Sequence, residues 1–147
     1  MSKFLVRSPV LHIPTFAEYE IMVGDLANLL LGIGLEIPFP YSDNKYFYTD
    51  ANGWAKVIPH LVLKSDLYKP EKFDCEDYAM KAQVACAELF GLNALRYVYG
   101  DSPQGRHGYC IFWDGVVFTL FEPNEGFSGG SVFPVGENGY IPLKVLL

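Results

Sequence analysis

The sequence has few cysteines and few basic residues, and each shortage excludes a class of protein. Its three cysteines, at positions 75, 86 and 110, form an odd set without the paired spacing of a zinc site. Lys and Arg number 11 against 17 Asp and Glu, which gives a net charge of -6. A nucleic-acid-binding surface must be basic to meet phosphates, so we expect no nucleic-acid partner.

Long hydrophobic runs are also missing. The longest apolar stretch, Leu26 to Ile37, is interrupted by Asn28, two glycines and Glu36. A membrane-spanning helix needs about 20 predominantly apolar residues, so no membrane segment and no membrane partner are predicted. The first residues hold no apolar run long enough for a signal peptide. Reduced thiols without an export signal favour the cytoplasm.

Apolar and aromatic residues are plentiful nonetheless. Hydrophobic residues make up 50% of the 147 positions and aromatic residues 16%, which predicts a folded globule rather than a disordered chain. This length fits a single domain over residues 1–147. Residues 1–14 are expected to form an extended arm that packs on the body of the domain.

The first half of the chain reads as helix and loop. Thr15 to Glu18 has the sequence of a capping box, and the apolar spacing that follows predicts a helix over about residues 16–31. Residues 37–53 are rich in turn formers and aromatics, and we expect a loop that could line a groove. The aromatic candidates for that groove are Tyr41, Tyr46, Phe47, Tyr48 and Trp54. Gly53 to Leu63 fits a short helix or a strand.

The clearest helix is predicted to begin at Cys75, with Asp74 as its N-cap, and to end at Gly91. Short β-branched and aromatic segments follow, separated by turn residues. These predicted strands are Leu95–Tyr99, Gly108–Trp113, Val116–Phe121, Val132–Val135 and Tyr140–Val145. The pair Asp114-Gly115 is a hairpin signal between the second and third strands. Helices followed by antiparallel strands predict an α+β fold.

Cys75 is the candidate nucleophile. At the start of a helix, its sulfur lies near unpaired N–H groups and the positive end of the helix dipole, which favours the thiolate. The neighbouring acids Asp74, Glu76 and Asp77 oppose a further negative charge. The alternative is a small buried residue, the usual fate of a cysteine, and we assign that role to the other two.

His107 and Glu122 are the candidate base and acid. His107 lies at the start of one predicted strand and Glu122 at the end of the next. A hairpin places those strand ends side by side, so the two side chains can be cross-strand neighbours. A surface histidine is the alternative for His107. A cysteine hydrolase needs a thiol, a base that activates it and a group that orients the base, and we predict that Cys75, His107 and Glu122 converge.

Two motifs resemble known cysteine enzymes. Asp74 to Ala79 reads Asp-Cys-Glu-Asp-Tyr-Ala, which resembles the signature of bacterial transglutaminase-like cysteine proteinases. Phe121 to Asn124 is similar to the Ile-Glu-Pro-Gln end of the protease domain in a mushroom agglutinin, which also uses a Cys, His and Glu triad. The resemblance covers about residues 70–125. It implies a papain-like or transglutaminase-like core, in which N-terminal helices and the nucleophile helix pack on an antiparallel sheet.

The resemblance implies a cation as well. Members of both groups depend on calcium or a similar ion held by acids beside the nucleophile, and the matching positions are Asp74, Glu76 and Asp77. Helix capping and a solvated acidic face are the alternative for these side chains. Two positions depart from the pattern. Gly108 follows His107 where Ala, Val or Met is often found, and Asn124 stands where the agglutinin has Gln.

These features predict a thiol hydrolase that cleaves an amide bond of a peptide or protein through a thioester. One alternative uses the same thioester for acyl transfer from glutamine or for deamidation of glutamine. Another is a catalytically idle binding or structural module, such as one encoded by a phage or mobile element. A third is a cation-binding interaction domain that exploits the acidic cluster without Cys75.

Overall fold

A computed structural model of the chain describes residues 13–127 and 131–147. Most of the expected N-terminal arm therefore lies outside the described residues. The helices are α1 (Val23–Gly32), α2 (Ala51–Val57) and α3 (Cys75–Phe90). The strands are β1 (Tyr19–Met22), β2 (Lys45–Tyr48), β3 (Leu95–Ser102), β4 (Gly105–Trp113), β5 (Phe118–Phe121), β6 (Val132–Pro134) and β7 (Ile141–Val145). Within the described ranges, no helix is long and apolar enough to cross a membrane.

An antiparallel sheet of five strands, in the order β6-β5-β4-β3-β7, forms one layer of the molecule. The β4–β5 hairpin turns at Asp114-Gly115, as predicted, and Asp114 Oδ1 accepts hydrogen bonds from the backbone N–H groups of Val116 and Val117 at 2.8 Å each. These bonds fix the register that ends with Cys110 opposite Phe121. Helices on an antiparallel sheet confirm the prediction of an α+β fold.

Helix α3 packs on β3 and β4 at the centre of this sheet. Its predicted bounds are confirmed, because Asp74 and Asp77 form a capping box at its start and Gly91 ends it with φ of 68°. A left-handed conformation at that position favours glycine. The buried face of the helix consists of Tyr78, Ala79, Ala82, Cys86 and Phe90. Small residues on this face allow the helix to approach the strands closely.

The predicted helix over residues 16–31 is wrong in its first part. Tyr19–Met22 is a strand that pairs antiparallel with Lys45–Tyr48, in a segment for which we predicted a loop. Cross-strand contacts explain the difference, since the ring of Tyr19 stacks on Tyr48 at a centroid distance of 5.6 Å. Pairing with a distant segment thus overrides the local helical spacing.

Helix α2 resolves the ambiguity of residues 53–63. Asp50 caps the helix by accepting a hydrogen bond from Gly53 N at 2.8 Å. Two of the aromatics proposed for a groove wall are core residues instead, since Tyr46 is 0% and Trp54 1% exposed. Trp54 Nε1 donates to the carbonyl of Trp113 at 2.8 Å, which satisfies the indole inside the core.

The edges of the large sheet are β6 and β7, and each edge strand contains a proline, Pro134 and Pro142 respectively. Glu36 forms an isolated parallel bridge with Lys144 of β7. Its N–H donates to Leu143 O at 2.8 Å, and its carbonyl accepts from Val145 N at 3.0 Å. The β7 edge is therefore partly covered by the chain after α1.

Candidate active site

Cys75 is the first residue of α3, where the backbone N–H groups of the opening turn point along the helix axis. The side chain is only partly buried, so its sulfur can be reached from solvent. Its thiol donates a hydrogen bond to Glu76 Oε2 at 3.3 Å. The first turn of α3 also lies directly against Gly108 of β4, one residue beyond His107. The start of the helix thus lies beside the part of the sheet that carries His107, the candidate base.

His107 and Glu122 form a buried pair. The imidazole Nε2 lies 2.6 Å from Glu122 Oε2, and the two residues are 5% and 1% exposed. Glu122 follows β5 by one residue, next to the last registered pair of Cys110 and Phe121. The hairpin therefore brings the base and the acid together from positions 15 residues apart.

The carboxylate of Glu122 has further partners. Its Oε1 accepts a hydrogen bond from Asn124 N at 3.2 Å, and its Oε2 accepts one from the hydroxyl of Tyr140 at 3.3 Å. The side chain of Asn124 shapes the following turn, since its Oδ1 accepts from Gly126 N at 2.9 Å. Tyr140 was not among the residues singled out from the sequence. Its position as the first residue of a predicted strand gives no sign that its hydroxyl reaches Glu122.

The protonation of His107 follows from these contacts. Burial alone lowers the pKa of His107, but hydrogen bonds to Cys75 and Glu122 and the negative charge of Glu122 outweigh it and raise the pKa to about 9. The ring is therefore protonated at neutral pH. The imidazole is thus hydrogen-bonded to the carboxylate of Glu122, and its proton affinity is also raised by Cys75.

Aromatic rings surround the imidazole. Phe127 lies 5.0 Å away, Tyr109 5.9 Å and Tyr140 6.2 Å between ring centroids. These apolar surfaces keep water from the pair of His107 and Glu122 and so strengthen its electrostatic attraction.

The acids beside Cys75 divide into two groups. Ligand atoms of Asp74, Cys75 and Glu76 all lie within 4.8 Å of one another. A side-chain hydrogen bond between Asp74 and Glu76 raises the pKa of Asp74 and lowers that of Glu76. Asp77 instead caps the helix, its Oδ2 accepting from Asp74 N at 3.2 Å. Of the three predicted cation ligands, Asp74 and Glu76 therefore lie beside the thiol, and Asp74 and Asp77 take part in the helix cap.

The other two cysteines are packing residues. Cys86 and Cys110 are both 0% exposed. Burial raises the pKa of Cys86 to about 12 and also raises that of Cys110. Neither thiol is therefore suited to act as a nucleophile at neutral pH.

Comparisons with known proteins show that this chain has the fold of a solved structure. No protein-family model matches the chain, and no curated protein is similar to it. A solved structure described as the PSL1a-E64 complex superposes with a TM-score of 0.65 and 22% sequence identity. The match covers 87% of this chain and 51% of the PSL1a chain, so this chain spans about half the length of that protein. The two molecules share a fold over nearly all of this chain.

Proposed function

We propose that the protein is a thiol hydrolase of the papain-like and transglutaminase-like superfamily, and that it cleaves amide bonds in peptides or proteins. The observation that carries this proposal is an imidazole that is hydrogen-bonded to a buried carboxylate, while Cys75, partly buried at the start of α3, helps to raise its pKa. A histidine that only stabilised the fold would not need a cysteine at a helix start as its second partner. Cys75, His107 and Glu122 are the catalytic residues of this proposal.

The reactive form is the pair of Cys75 thiolate and His107 imidazolium, in which the proton of the thiol has already passed to the ring, and the thiolate attacks the carbonyl carbon of the amide. The new carbon–sulfur bond makes a tetrahedral oxyanion, which the backbone N–H of Cys75 is placed to stabilise. The imidazolium then gives its proton to the leaving amine as the carbon–nitrogen bond breaks, leaving a thioester. Water, deprotonated by His107, attacks the thioester and releases the acid and the thiol. Glu122 holds the ring throughout.

The structural neighbour supports this chemistry. E64 is a cysteine-protease inhibitor, and the neighbour was solved in complex with it. A shared fold does not carry over an activity by itself. We therefore base the proposal on Cys75, His107 and Glu122 themselves. The neighbour suggests that E64 can be used to test whether Cys75 is reactive.

A cation site beside the nucleophile is part of the proposal. Asp74 Oδ1 is buried and has no hydrogen-bond partner among the described residues. Its carboxyl group also meets that of Glu76, an arrangement in which two anions would repel each other. Hard oxygen ligands of this kind suit Ca²⁺. Asp74 and Glu76 would hold the ion, whose charge would offset the acids around the thiolate, while Asp77 keeps its place in the helix cap.

The test combines hydrolysis with active-site protection. We expect the protein to digest dye-labelled casein with Ca²⁺ present, and the Cys75→Ala and His107→Ala variants to lose this activity. Prior incubation with E64 should protect Cys75 from iodoacetamide, as read by mass spectrometry of the intact protein. Cys86→Ala is the matched control and should behave as wild type. An inactive protein whose Cys75 reacts equally with and without E64 would support the idle binding module instead.

A further inference from the structure

We infer that Tyr140 is a positioning residue, whose hydroxyl holds Glu122 in the orientation that His107 requires. The inference rests on the proposed function, since it assigns a role within the same site. Tyr140 OH donates to Glu122 Oε2 at 3.3 Å, and the same oxygen lies 2.6 Å from His107 Nε2. Asn124 N donates to the other oxygen at 3.2 Å. The carboxylate is thereby held on both oxygens.

Tyr140 and Asn124 differ in their separation from Glu122 along the sequence. Asn124 lies two residues after Glu122, so its N–H follows that residue wherever the chain places it. Tyr140 lies 18 residues away, between β6 and β7 at opposite edges of the sheet. Its hydroxyl therefore ties the end of β5 to a separate segment. A carboxylate fixed from a second segment resists the rotation that a local hydrogen bond alone would permit.

The turn before Tyr140 is built for this placement. Gly136, Asn138 and Gly139 all have left-handed backbones, with φ of 86°, 56° and 75°. Tyr140 N donates to Glu137 O at 3.1 Å and closes the turn. Glycine adopts this conformation without steric cost and Asn tolerates it better than most residues, so the sequence of this connection suits the tight turn that places Tyr140.

Packing then fixes the ring. Tyr140 is 1% exposed and meets Tyr109 edge-on, with a centroid distance of 5.0 Å and an interplanar angle of 82°. Phe133 lies on another side at 4.6 Å. Because the ring is held by these neighbours, the position of its hydroxyl is set before Glu122 meets it. Loss of the hydroxyl removes one donor to the carboxylate without loss of this packing.

The first experiment compares Tyr140→Phe with Tyr46→Phe in casein hydrolysis. Tyr46 is also fully buried, but its hydroxyl has no hydrogen-bond partner among the described residues. We expect Tyr140→Phe to lower kcat about tenfold with KM unchanged, the effect of one hydrogen bond to a charged group. Tyr46→Phe should keep the wild-type kcat.

A double-mutant cycle separates positioning from general structure. In a Glu122→Gln background the added Tyr140→Phe change should have little further effect on kcat, because the carboxylate it positions is already gone. Equal proportional losses in both backgrounds would overturn the inference while leaving the proposed function intact. Wild-type kcat in Tyr140→Phe would overturn it in the same way.

A measurement without substrate decides the case if casein is not hydrolysed. The short, buried bond between His107 Nε2 and Glu122 should give a low-field proton resonance, identified by its loss in Glu122→Gln. Tyr140→Phe should shift this resonance, whereas Tyr46→Phe should leave it in place. An unchanged resonance in Tyr140→Phe would contradict the inference whatever the protein hydrolyses, and failure of both casein digestion and E64 protection would contradict only the proposed function.

Discussion

Gly108 lies against the backbone of Glu76. A Cβ atom built on Gly108 would be 3.1 Å from Glu76 Cα and 3.2 Å from Glu76 N, and 2.9 Å from the ring of Tyr97. Backbone atoms of a helix cannot move aside as a flexible side chain can. The absence of a side chain at position 108 therefore sets how closely the layer that carries Cys75 approaches the layer that carries His107. A larger side chain at this position would push the two layers apart.

The first prediction concerns this contact. Gly108→Ala should move the start of α3 away from β4 and lower the free energy of unfolding by about 1–3 kcal/mol, the usual cost of overpacking. The same displacement should lower the rate of Cys75 alkylation by iodoacetamide at pH 7 several-fold. Urea unfolding and mass spectrometry measure the two effects. Gly24→Ala is the control, since an added Cβ there meets nothing within 4 Å in the described part of the chain. Wild-type alkylation in Gly108→Ala would show that the close approach does not matter for the thiol.

The second prediction concerns the reactivity of the three thiols. In the folded protein iodoacetamide at pH 7 should modify Cys75 first, because Cys86 and Cys110 are buried and their pKa values are raised. Intact mass should show one adduct, and peptide mapping should place it on Cys75. In urea all three should react at similar rates. Early modification of Cys86 or Cys110 under native conditions would contradict the assignment.

The third prediction is a dependence on pH. The folded pKa of His107 is raised to about 9, whereas an unfolded histidine titrates near its ordinary value of about 6.5. The folded state therefore binds this proton more tightly than the unfolded state. The resulting stabilisation is complete below about pH 6.5 and is lost as the pH rises through about 9.

Two measurements check whether stability falls as the pH rises. Between pH 6 and pH 10 the free energy of unfolding of wild type should fall by on the order of 3 kcal/mol more than that of His107→Gln. Casein hydrolysis should also decline above about pH 9, because the leaving amine needs the proton of the imidazolium. Equal pH dependence of the two proteins would show that the folded protein does not hold this proton.

The fourth prediction concerns calcium. Ca²⁺ should raise the Tm of wild type, since a ligand that binds only the folded state stabilises it by mass action. Asp74→Asn with Glu76→Gln should abolish the rise. Asp77→Asn should lower the starting Tm through loss of a helix cap, worth about 1 kcal/mol, yet keep the rise with Ca²⁺. An unchanged wild-type Tm would remove the cation from the proposal. If Asp77→Asn alone abolished the rise in Tm with Ca²⁺, the assignment of the site to Asp74 and Glu76 would be wrong.

Local signals in the sequence were sufficient for the helix of Cys75 and for the β4–β5 hairpin. Asp74 and Gly91 are strong start and stop residues, and Asp114-Gly115 specifies a turn by its own chemistry. From that turn alone it followed that His107 and Glu122 should be neighbours. Their contact at 2.6 Å depends only on the register between β4 and β5, and that register is set by the single turn that joins the two strands.

Features set by distant segments could not be predicted in this way. Tyr19–Met22 has helical spacing, and its strand exists only because Lys45–Tyr48 lies beside it. The approach of Tyr140 to Glu122 requires the positions of β6 and β7 at the sheet edges. Likewise, nothing in the local sequence shows that Asp77 has a different role from Asp74 and Glu76. The difference becomes visible in the structure, where the side chain of Asp77 accepts a hydrogen bond from Asp74 N at the start of the helix.

The prolines in the two outermost strands have a consequence for behaviour at high concentration. Proline has no N–H to donate and occurs in sheets mainly at edges, where it disfavours pairing with another chain, and Pro134 and Pro142 lie in the two edge strands. Strands of three and five residues give little length for such a copy to align with. The sheet is thereby protected at both ends against growth into fibrous aggregates.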